Sequence, residues 1–196
     1  MATDPQTLDE HDVDRIRAHL RGRNIVLIGM MGAGKTSVGR RLATELDLPF
    51  VDADAEIEQA ANLTIAEIFE TYGEDHFRDG ERKVIARLLA DGPKVIATGG
   101  GAFMNDETRA EIGRRAISIW LKACLPLLME RVQRKANRPL LSEADPKSVM
   151  KRLLTAREPV YATADITIAS KDVPHSVVVG NALKALDNFL LCGNAK

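Results

Sequence analysis

Residues 25–36 read IVLIGMMGAGKT. The first four form a continuous apolar run, which is typical of a strand buried on both faces, as in a parallel sheet. Residues 29–36 match the pattern G-x-x-x-x-G-K-[ST], and a stretch with helical character, residues 37–46, follows directly. A strand, a loop of this pattern and a helix, in that order, predict a glycine-rich loop whose backbone N–H groups surround phosphate groups.

The side chains of this loop have separate tasks in that interpretation. We expect the Lys35 ammonium to reach the β- and γ-phosphates of a nucleotide, and the Thr36 hydroxyl to ligate Mg²⁺. The predicted phosphate-binding residues are Gly32, Ala33, Gly34, Lys35, Thr36 and Ser37. The alternative, a glycine-rich turn that binds nothing, gives no reason for a lysine followed by a hydroxyl.

Short apolar segments alternate with helical patterns along the rest of the chain. Strands are predicted at residues 25–28, 49–51, 94–98, 116–121 and 164–169. Helices are predicted at residues 37–46, 56–90, 125–135, 146–158 and 177–190, with a capping box from Thr64 to Glu67 and breaks at Gly73 and Gly80. Alternating strands and helices predict an α/β fold, a three-layer α/β/α sandwich with a five-stranded parallel sheet.

Residues 1–23 precede this pattern, and a single domain is expected over residues 24–196. Val13, Ile16 and Leu20 recur at helical spacing among charged residues, which predicts a short amphipathic helix lying on the domain. A helix that docks on a partner protein is the alternative.

Composition excludes several classes of function. The chain has 196 residues, of which 45% are hydrophobic, and its 27 Lys and Arg against 28 Asp and Glu give a formal charge of -1. Because no overall basic field exists, we expect no nucleic-acid partner. No apolar run reaches the roughly 20 residues of a membrane span, and the acidic N-terminus is unlike a targeting peptide, so we expect a cytoplasmic protein without a membrane partner.

Two carboxylates follow the second predicted strand, in the sequence Asp52-Ala53-Asp54. Side chains two residues apart on an extended segment point the same way, which suits a metal ion for one and a hydroxyl-bearing substrate for the other. A turn with a helix-capping residue is the alternative.

The third predicted strand ends in TGGG, residues 98–101. Three successive glycines let backbone N–H groups approach a ligand closely, whereas a flexible turn needs one or two.

The guanine-reading pattern N-K-x-D of GTPases does not occur, and the chain is short for a motor ATPase, so both classes are disfavoured.

Six motifs together resemble the shikimate kinase family over about residues 24–190. They are GMMGAGKTSVG (29–39), DAD (52–54), FR (77–78), TGGG (98–101), RPLL (138–141) and REPVY (157–161). The resemblance implies a P-loop fold of the nucleoside monophosphate kinase type. It also implies transfer of the γ-phosphoryl group of ATP to the 3-hydroxyl of shikimate, a small carboxylate with three hydroxyls, in the biosynthesis of chorismate and the aromatic amino acids.

The resemblance also implies an acceptor site, within a substrate-binding region at about residues 52–82. Arg78 and Arg157 would clamp the shikimate carboxylate, because a guanidinium matches a carboxylate bidentately. Asp54 would orient the attacking hydroxyl or partly deprotonate it. Further residues carried over are Gly99, Gly100 and Gly101 as backbone donors, Phe69 and Phe77 as an apolar wall, and Glu81 as the group that holds the arginines.

On the nucleotide side, the resemblance implies that Asp52 holds Mg²⁺, through water, and that Arg131 stacks on adenine, with Pro174 beside the base. Residues 132–146 would form a lid whose Arg138 reaches over the transferred phosphate. Shikimate and ATP or ADP are the expected ligands, and we expect a monomer. Two alternatives remain, a related small-molecule kinase such as a gluconate kinase and a nucleotide-binding module without turnover.

Overall fold

The computed structural model describes residues 10–134 and 145–192. Five strands form one sheet: β1 (Asn24–Ile28), β2 (Phe50–Asp52), β3 (Val95–Ala97), β4 (Ala116–Lys122) and β5 (Ile166–Ala169). They are parallel throughout and lie in the order β2-β3-β1-β4-β5. The predicted five-stranded parallel sheet flanked by helices is therefore confirmed.

The helices of the described residues cover both faces of the sheet. They are α1 (Glu10–Leu20), α2 (Lys35–Glu45), α3 (Ala53–Ala61), α4 (Ile65–Ala90), α5 (Asp106–Arg115), α6 (Leu125–Gln133), α7 (Pro146–Tyr161) and α8 (His175–Cys192), with a short 3-10 turn at Ala102–Met104. Helix α5 has no counterpart among the predicted elements, and α7 continues three residues beyond its predicted end, through Pro159. None of these helices is long and apolar enough to cross a membrane.

Strand β1 lies at the centre of the sheet and is buried along its whole length. Val26 pairs with Ile96 on one side and with Ser118 on the other. Gly29 follows the strand with a φ of 136°, and a Cβ there would lie 2.8 Å from the Leu121 carbonyl oxygen. Only glycine suits this position. The chain leaves the sheet here, at the edge where the carboxyl ends of the strands meet.

Helix α4 keeps one of its two predicted breaks. The Thr64 side chain and the Glu67 carboxylate form the predicted capping box at its start, and Gly73 interrupts it with a φ of 82° and a ψ of 174°. The predicted break at Gly80 is wrong, because the helix continues through it. A glycine inside a helix costs only about 1 kcal/mol, and the burial of neighbours such as Phe77 and Ile85 outweighs this.

Helix α1 packs against α8. Its Ile16 and Leu20 side chains are fully buried and belong to the main hydrophobic core. The Arg15 guanidinium donates from Nε and Nη2 to the two carboxylate oxygens of Asp187 at 3.0 and 2.8 Å. A domain starting at Asn24 therefore leaves out a helix of the main core, and the apolar face of α1 already has a partner within its own chain.

Candidate active site

The phosphate-loop motif lies between the end of β1 and the start of α2, as the sequence predicts. Gly32 and Gly34 have φ values of 80° and 95°, which a side chain rarely permits. The Lys35 ammonium donates to the carbonyl oxygens of Gly29 and Met30 at 2.9 and 3.0 Å. The loop thus curls around the lysine, with the positive N-terminal end of α2 directly behind it.

Two side chains with oxygen atoms, Thr36 at the end of the loop and Asp52 at the end of β2, lie together here. The Thr36 hydroxyl donates to Oδ2 of Asp52 at 2.8 Å, while Oδ1 of Asp52 accepts from the backbone N–H of Asp54 at 3.2 Å. Within residues 10–134 and 145–192, no group of three or more His, Cys, Asp or Glu side chains is arranged to hold a metal ion. This donor set suits Mg²⁺, which takes one or two protein oxygens and completes its shell with water and phosphates.

The placement of Asp54 differs from the prediction. Asp52 ends β2 and caps the N-terminus of α3, whereas Asp54 lies in the first turn of that helix and not on an extended segment. The helix-capping interpretation is thus correct for Asp52. Both carboxylates nevertheless line the same cleft as the phosphate loop.

This cleft has a volume of about 360 Å³ and runs along the carboxyl edge of the sheet. Its lining combines cations with carboxylates. The side chains that face it include Lys35, Thr36, Asp52, Asp54, Thr98, Arg131, Arg134, Asp172, Val173 and His175.

Arg131 joins the phosphate loop to the segment after β5. Its Nη1 donates to the Ser170 hydroxyl at 3.0 Å and its Nη2 to the Lys171 carbonyl at 2.9 Å. The Ser170 hydroxyl in turn donates to the Ala33 carbonyl at 2.9 Å. These contacts place Arg131 beside the phosphate loop, and its role toward adenine stays a prediction.

The residues around Ser170 were not predicted from the sequence. Ser170 and His175 belong to no recognised motif. They follow β5, however, and the carboxyl ends of parallel strands share one edge, so the position of β5 indicated that these residues lie near the cleft. Burial lowers the pKa of His175, and the nearby positive charges of Arg41 and Arg131 lower it further. The imidazole is therefore neutral at pH 7.

The glycine turn after β3 fits closely between charged side chains. A Cβ on Gly99 would lie 2.7 Å from Oε1 of Glu81 and 2.8 Å from Oδ1 of Asp54, and one on Gly101 would lie 2.5 Å from Nη1 of Arg78. On Gly100 it would lie 3.5 Å from the carbonyl oxygen of the phosphate-loop residue Gly29. A side chain at Gly99 or Gly101 would therefore have to displace the charged ends of Glu81, Asp54 or Arg78, whereas glycine leaves them in place.

Glu81 is the buried centre of this charge cluster. Its carboxylate is 3% exposed and accepts from Nη1 of Arg78 at 2.7 Å through Oε2, while Oε1 has no hydrogen-bond partner within the part of the chain that the structure describes. Burial raises the pKa of Glu81; the charge of Arg78 opposes this and that of Asp54 adds to it. Burial alone would lower the pKa of Arg78, but Glu81 and Glu74 outweigh it and raise that pKa.

Arg157 reaches the glycine turn from α7. Its Nη1 donates to the Gly100 carbonyl at 3.1 Å. The same carbonyl accepts a short hydrogen bond from the hydroxyl of Tyr161, one helical turn further along α7. The sequence contains Tyr161 in the REPVY motif but gave no role to it.

The two predicted wall residues pack against each other, and their role as an apolar wall stays a prediction. Phe77 is 5% exposed and belongs to a small core with Ile57 and Ile68, while Phe69 packs against its ring with centroids 4.6 Å apart. The Phe77 ring supports the site from below, since the Arg78 guanidinium lies 5.1 Å from its centroid. Arg138 and most of the expected lid, residues 135–144, lie outside the described residues.

A loop suited to phosphates thus lies next to a glycine turn flanked by two arginines that can bind a small anion. This fold and this site define a phosphate-loop kinase that acts on a small molecule. The shikimate kinase family model matches residues 31–187. The chain belongs to the shikimate kinase family.

Individual relatives agree with this assignment. A shikimate kinase of Bradyrhizobium diazoefficiens is 61% identical over 178 residues, which cover 91% of this chain and 86% of that protein. A shikimate kinase of Brucella canis is 51% identical over 184 residues, which cover 94% of this chain and 92% of that protein.

Solved structures give the same result for the fold. The shikimate kinase from Acinetobacter baumannii in complex with shikimate matches with a TM-score of 0.81 and 36% identity, over 92% of this chain and 99% of that one. A gluconokinase from Sinorhizobium meliloti matches with a TM-score of 0.61 and 20% identity, over 89% of this chain and 98% of that one. The gluconokinase shares the fold alone.

Proposed function

We propose that this protein is a shikimate kinase that transfers the γ-phosphoryl group of ATP to the 3-hydroxyl of shikimate. The observation that carries the proposal is the contact between two half-sites. A Cβ on Gly100 would lie 3.5 Å from the Gly29 carbonyl oxygen of the phosphate loop, and the Gly100 carbonyl accepts from Nη1 of Arg157, so a nucleotide and a carboxylate-bearing acceptor can be held side by side.

The nucleotide half binds the phosphates through the backbone from Gly32 to Ser37 and through the Lys35 ammonium. Lys35 is held over the loop by two carbonyl oxygens, so it needs only a small displacement to reach a β- or γ-phosphate. Arg131, which donates to the Gly32 carbonyl and the Ser170 hydroxyl, is the proposed contact for the rest of the nucleotide.

Thr36 and Asp52 are the proposed residues for Mg²⁺. When bound, this ion neutralises charge on the β- and γ-phosphates. Their hydroxyl and carboxylate oxygens lie 2.8 Å apart, and Asp52 is fixed by its second oxygen at the start of α3. A fixed carboxylate can orient the metal's water ligands without moving during the reaction.

The acceptor half has opposite charges on its two sides. Arg78 and Arg157, from α4 and α7, are proposed to take the substrate carboxylate, and Asp54 is proposed to accept a hydrogen bond from the attacking hydroxyl. The hydroxyl oxygen then attacks the γ-phosphorus while ADP leaves. Because this transition state is loose, holding the hydroxyl in line contributes more than its deprotonation.

A coupled assay with purified protein tests the proposal. Shikimate, gluconate and other hydroxy acids are compared as acceptors with ATP and Mg²⁺, and each component is omitted in turn. We expect phosphorylation of shikimate that requires all components. Turnover of gluconate in preference to shikimate would overturn the proposal in favour of a gluconate kinase, and nucleotide binding without any turnover would overturn it in favour of the nucleotide-binding module without turnover.

The Arg157→Ala variant tests the division into half-sites. We expect the KM for shikimate to rise at least about tenfold, because one charged partner of the carboxylate is lost, while the KM for ATP changes less than about twofold. The matched variant Arg131→Ala should raise the KM for ATP more than the KM for shikimate. Equal effects of either variant on both substrates would contradict two separate half-sites. The monomeric state and the cytoplasmic location stay predictions.

A further inference from the structure

Tyr161 is a fully buried side chain at the end of α7, with an exposure of 0%. Its ring packs against Trp120 of β4, with centroids 5.9 Å apart. Its hydroxyl donates to the Gly100 carbonyl oxygen and lies 3.9 Å from the thioether sulfur of Met30, in the phosphate loop. A phenol can donate one hydrogen bond, and here a backbone carbonyl of the glycine turn accepts it.

The Gly100 carbonyl takes a second hydrogen bond, from Nη1 of Arg157 at 3.1 Å. Tyr161 and Arg157 are four residues apart on α7 and therefore lie on one face of the helix. One backbone oxygen is thus held by two donors from the same helix, and the carbonyl in turn fixes where one nitrogen of Arg157 lies.

Packing alone does not explain the hydroxyl. A phenylalanine ring would fill the same space beside Trp120, and a buried hydroxyl is unfavourable unless it is hydrogen-bonded. Burial raises the pKa of Tyr161, although the nearby charge of Arg157 opposes this. The phenol therefore stays protonated at neutral pH and remains a donor.

We propose that Tyr161 is a positioning residue for the acceptor half of the site, with its hydroxyl holding the Gly100 carbonyl so that the glycine turn and Arg157 are correctly placed for shikimate. This inference rests on the proposed function. Without the hydroxyl, the flexible Arg157 side chain is the one donor left to the Gly100 carbonyl among the described residues. The glycine turn and the Arg157 guanidinium are then held less firmly.

The Tyr161→Phe variant tests this, because it removes the oxygen and keeps the ring. We expect the KM for shikimate to rise about five- to tenfold, the loss expected for one buried hydrogen bond, while the KM for ATP stays within about twofold. Calorimetric titration of shikimate without nucleotide should show the same weakening. A purely structural role would lower Tm without this selective change.

Ser118→Ala is the matched control. Its hydroxyl is also buried and bonds Oδ2 of Asp165 at 2.6 Å, away from the cleft. We expect a lower Tm and unchanged KM values. The inference is overturned if Tyr161→Phe leaves the KM for shikimate within twofold of the wild type, or if it raises both KM values equally. Failure of the wild-type protein to phosphorylate shikimate would instead overturn the proposed function.

The double variant tests the route of the effect. In an Arg157→Ala background, adding Tyr161→Phe should raise the KM for shikimate by a smaller factor than it does in the wild type, because one of the two groups that the hydroxyl helps to place is already absent. Fully additive effects would overturn a route through Arg157.

Discussion

The Lys35 side chain is held in one position by the backbone of the phosphate loop. Its ammonium already contacts two carbonyl oxygens of the loop, so the positive charge is held where phosphates would bind. We expect Lys35→Met to lower kcat at least about 100-fold, the effect of removing one preorganised charge from a transition state. Steady-state assays measure this, with Lys184→Met on α8 as the control. A kcat within tenfold of the wild type would remove the lysine from the mechanism.

Glu81 is a buried carboxylate whose pKa is raised above its ordinary value of 4.5, mainly by burial. Between 4.5 and this higher value, the folded state binds more protons than the unfolded state. Stability from this group is therefore greatest at low pH and is lost as pH rises through that window. Glu81→Gln removes the titration, so the wild-type free energy of unfolding, minus that of the variant, should fall with rising pH.

Denaturant unfolding of both proteins from pH 4 to pH 8 measures this difference. Subtracting the variant removes the contribution of the other carboxylates, several of which, such as Asp79 and Glu111, have lowered pKa values and the opposite pH dependence. A difference that does not vary with pH, or that rises with it, would contradict the raised pKa.

At this scale the sequence was informative where the chemistry is local. The loop of eight residues places Lys35 and Thr36, and the end of β2 places Asp52. The spacing of residues in these short segments is therefore enough to predict where the three side chains lie. Tyr161 and Ser170 act through contacts with Gly100 and Ala33, which are distant in sequence. No spacing along the chain indicates such pairs.

At the scale of single elements, α4 contains two glycines with opposite constraints. Gly73 has a φ of 82° and a ψ of 174°, a conformation open almost only to glycine, whereas a Cβ on Gly80 would meet nothing within 4 Å. We expect Gly73→Ala to lower the free energy of unfolding by about 1–3 kcal/mol, and Gly80→Ala to raise it by about 0.5–1 kcal/mol.

Urea unfolding distinguishes these two outcomes, and each variant serves as the control for the other. Equal destabilisation by both would mean that Gly80 also marks a break, as the sequence predicted. That prediction failed because a glycine gives the same local signal in a kink and in a helix, and only packing around the helix distinguishes them. The capping box at Thr64 was predictable because both of its partners lie within four residues.

At the scale of the whole molecule, the sheet topology follows from a small number of local signals. Buried strands that alternate with helices permit few arrangements, and because the strands are parallel their carboxyl ends lie at one edge of the sheet. The position of α1 does not follow in this way. Its stripe of Val13, Ile16 and Leu20 predicts an apolar contact but not the partner, which is α8 at the other end of the chain.

The Ile16→Ala variant tests whether α1 unfolds together with the rest of the protein. Ile16 is fully buried in the main core, so we expect a loss of about 2–5 kcal/mol with unchanged KM values. Trp120, the single tryptophan, reports on the sheet by fluorescence, while circular dichroism reports on the helices. Both transitions should shift together, whereas Arg17→Ala, which removes an exposed ion pair to Asp47, should shift neither by more than about 1 kcal/mol. If the Trp120 transition stayed unchanged in Ile16→Ala, α1 would be a separate unit that is merely attached to the sheet.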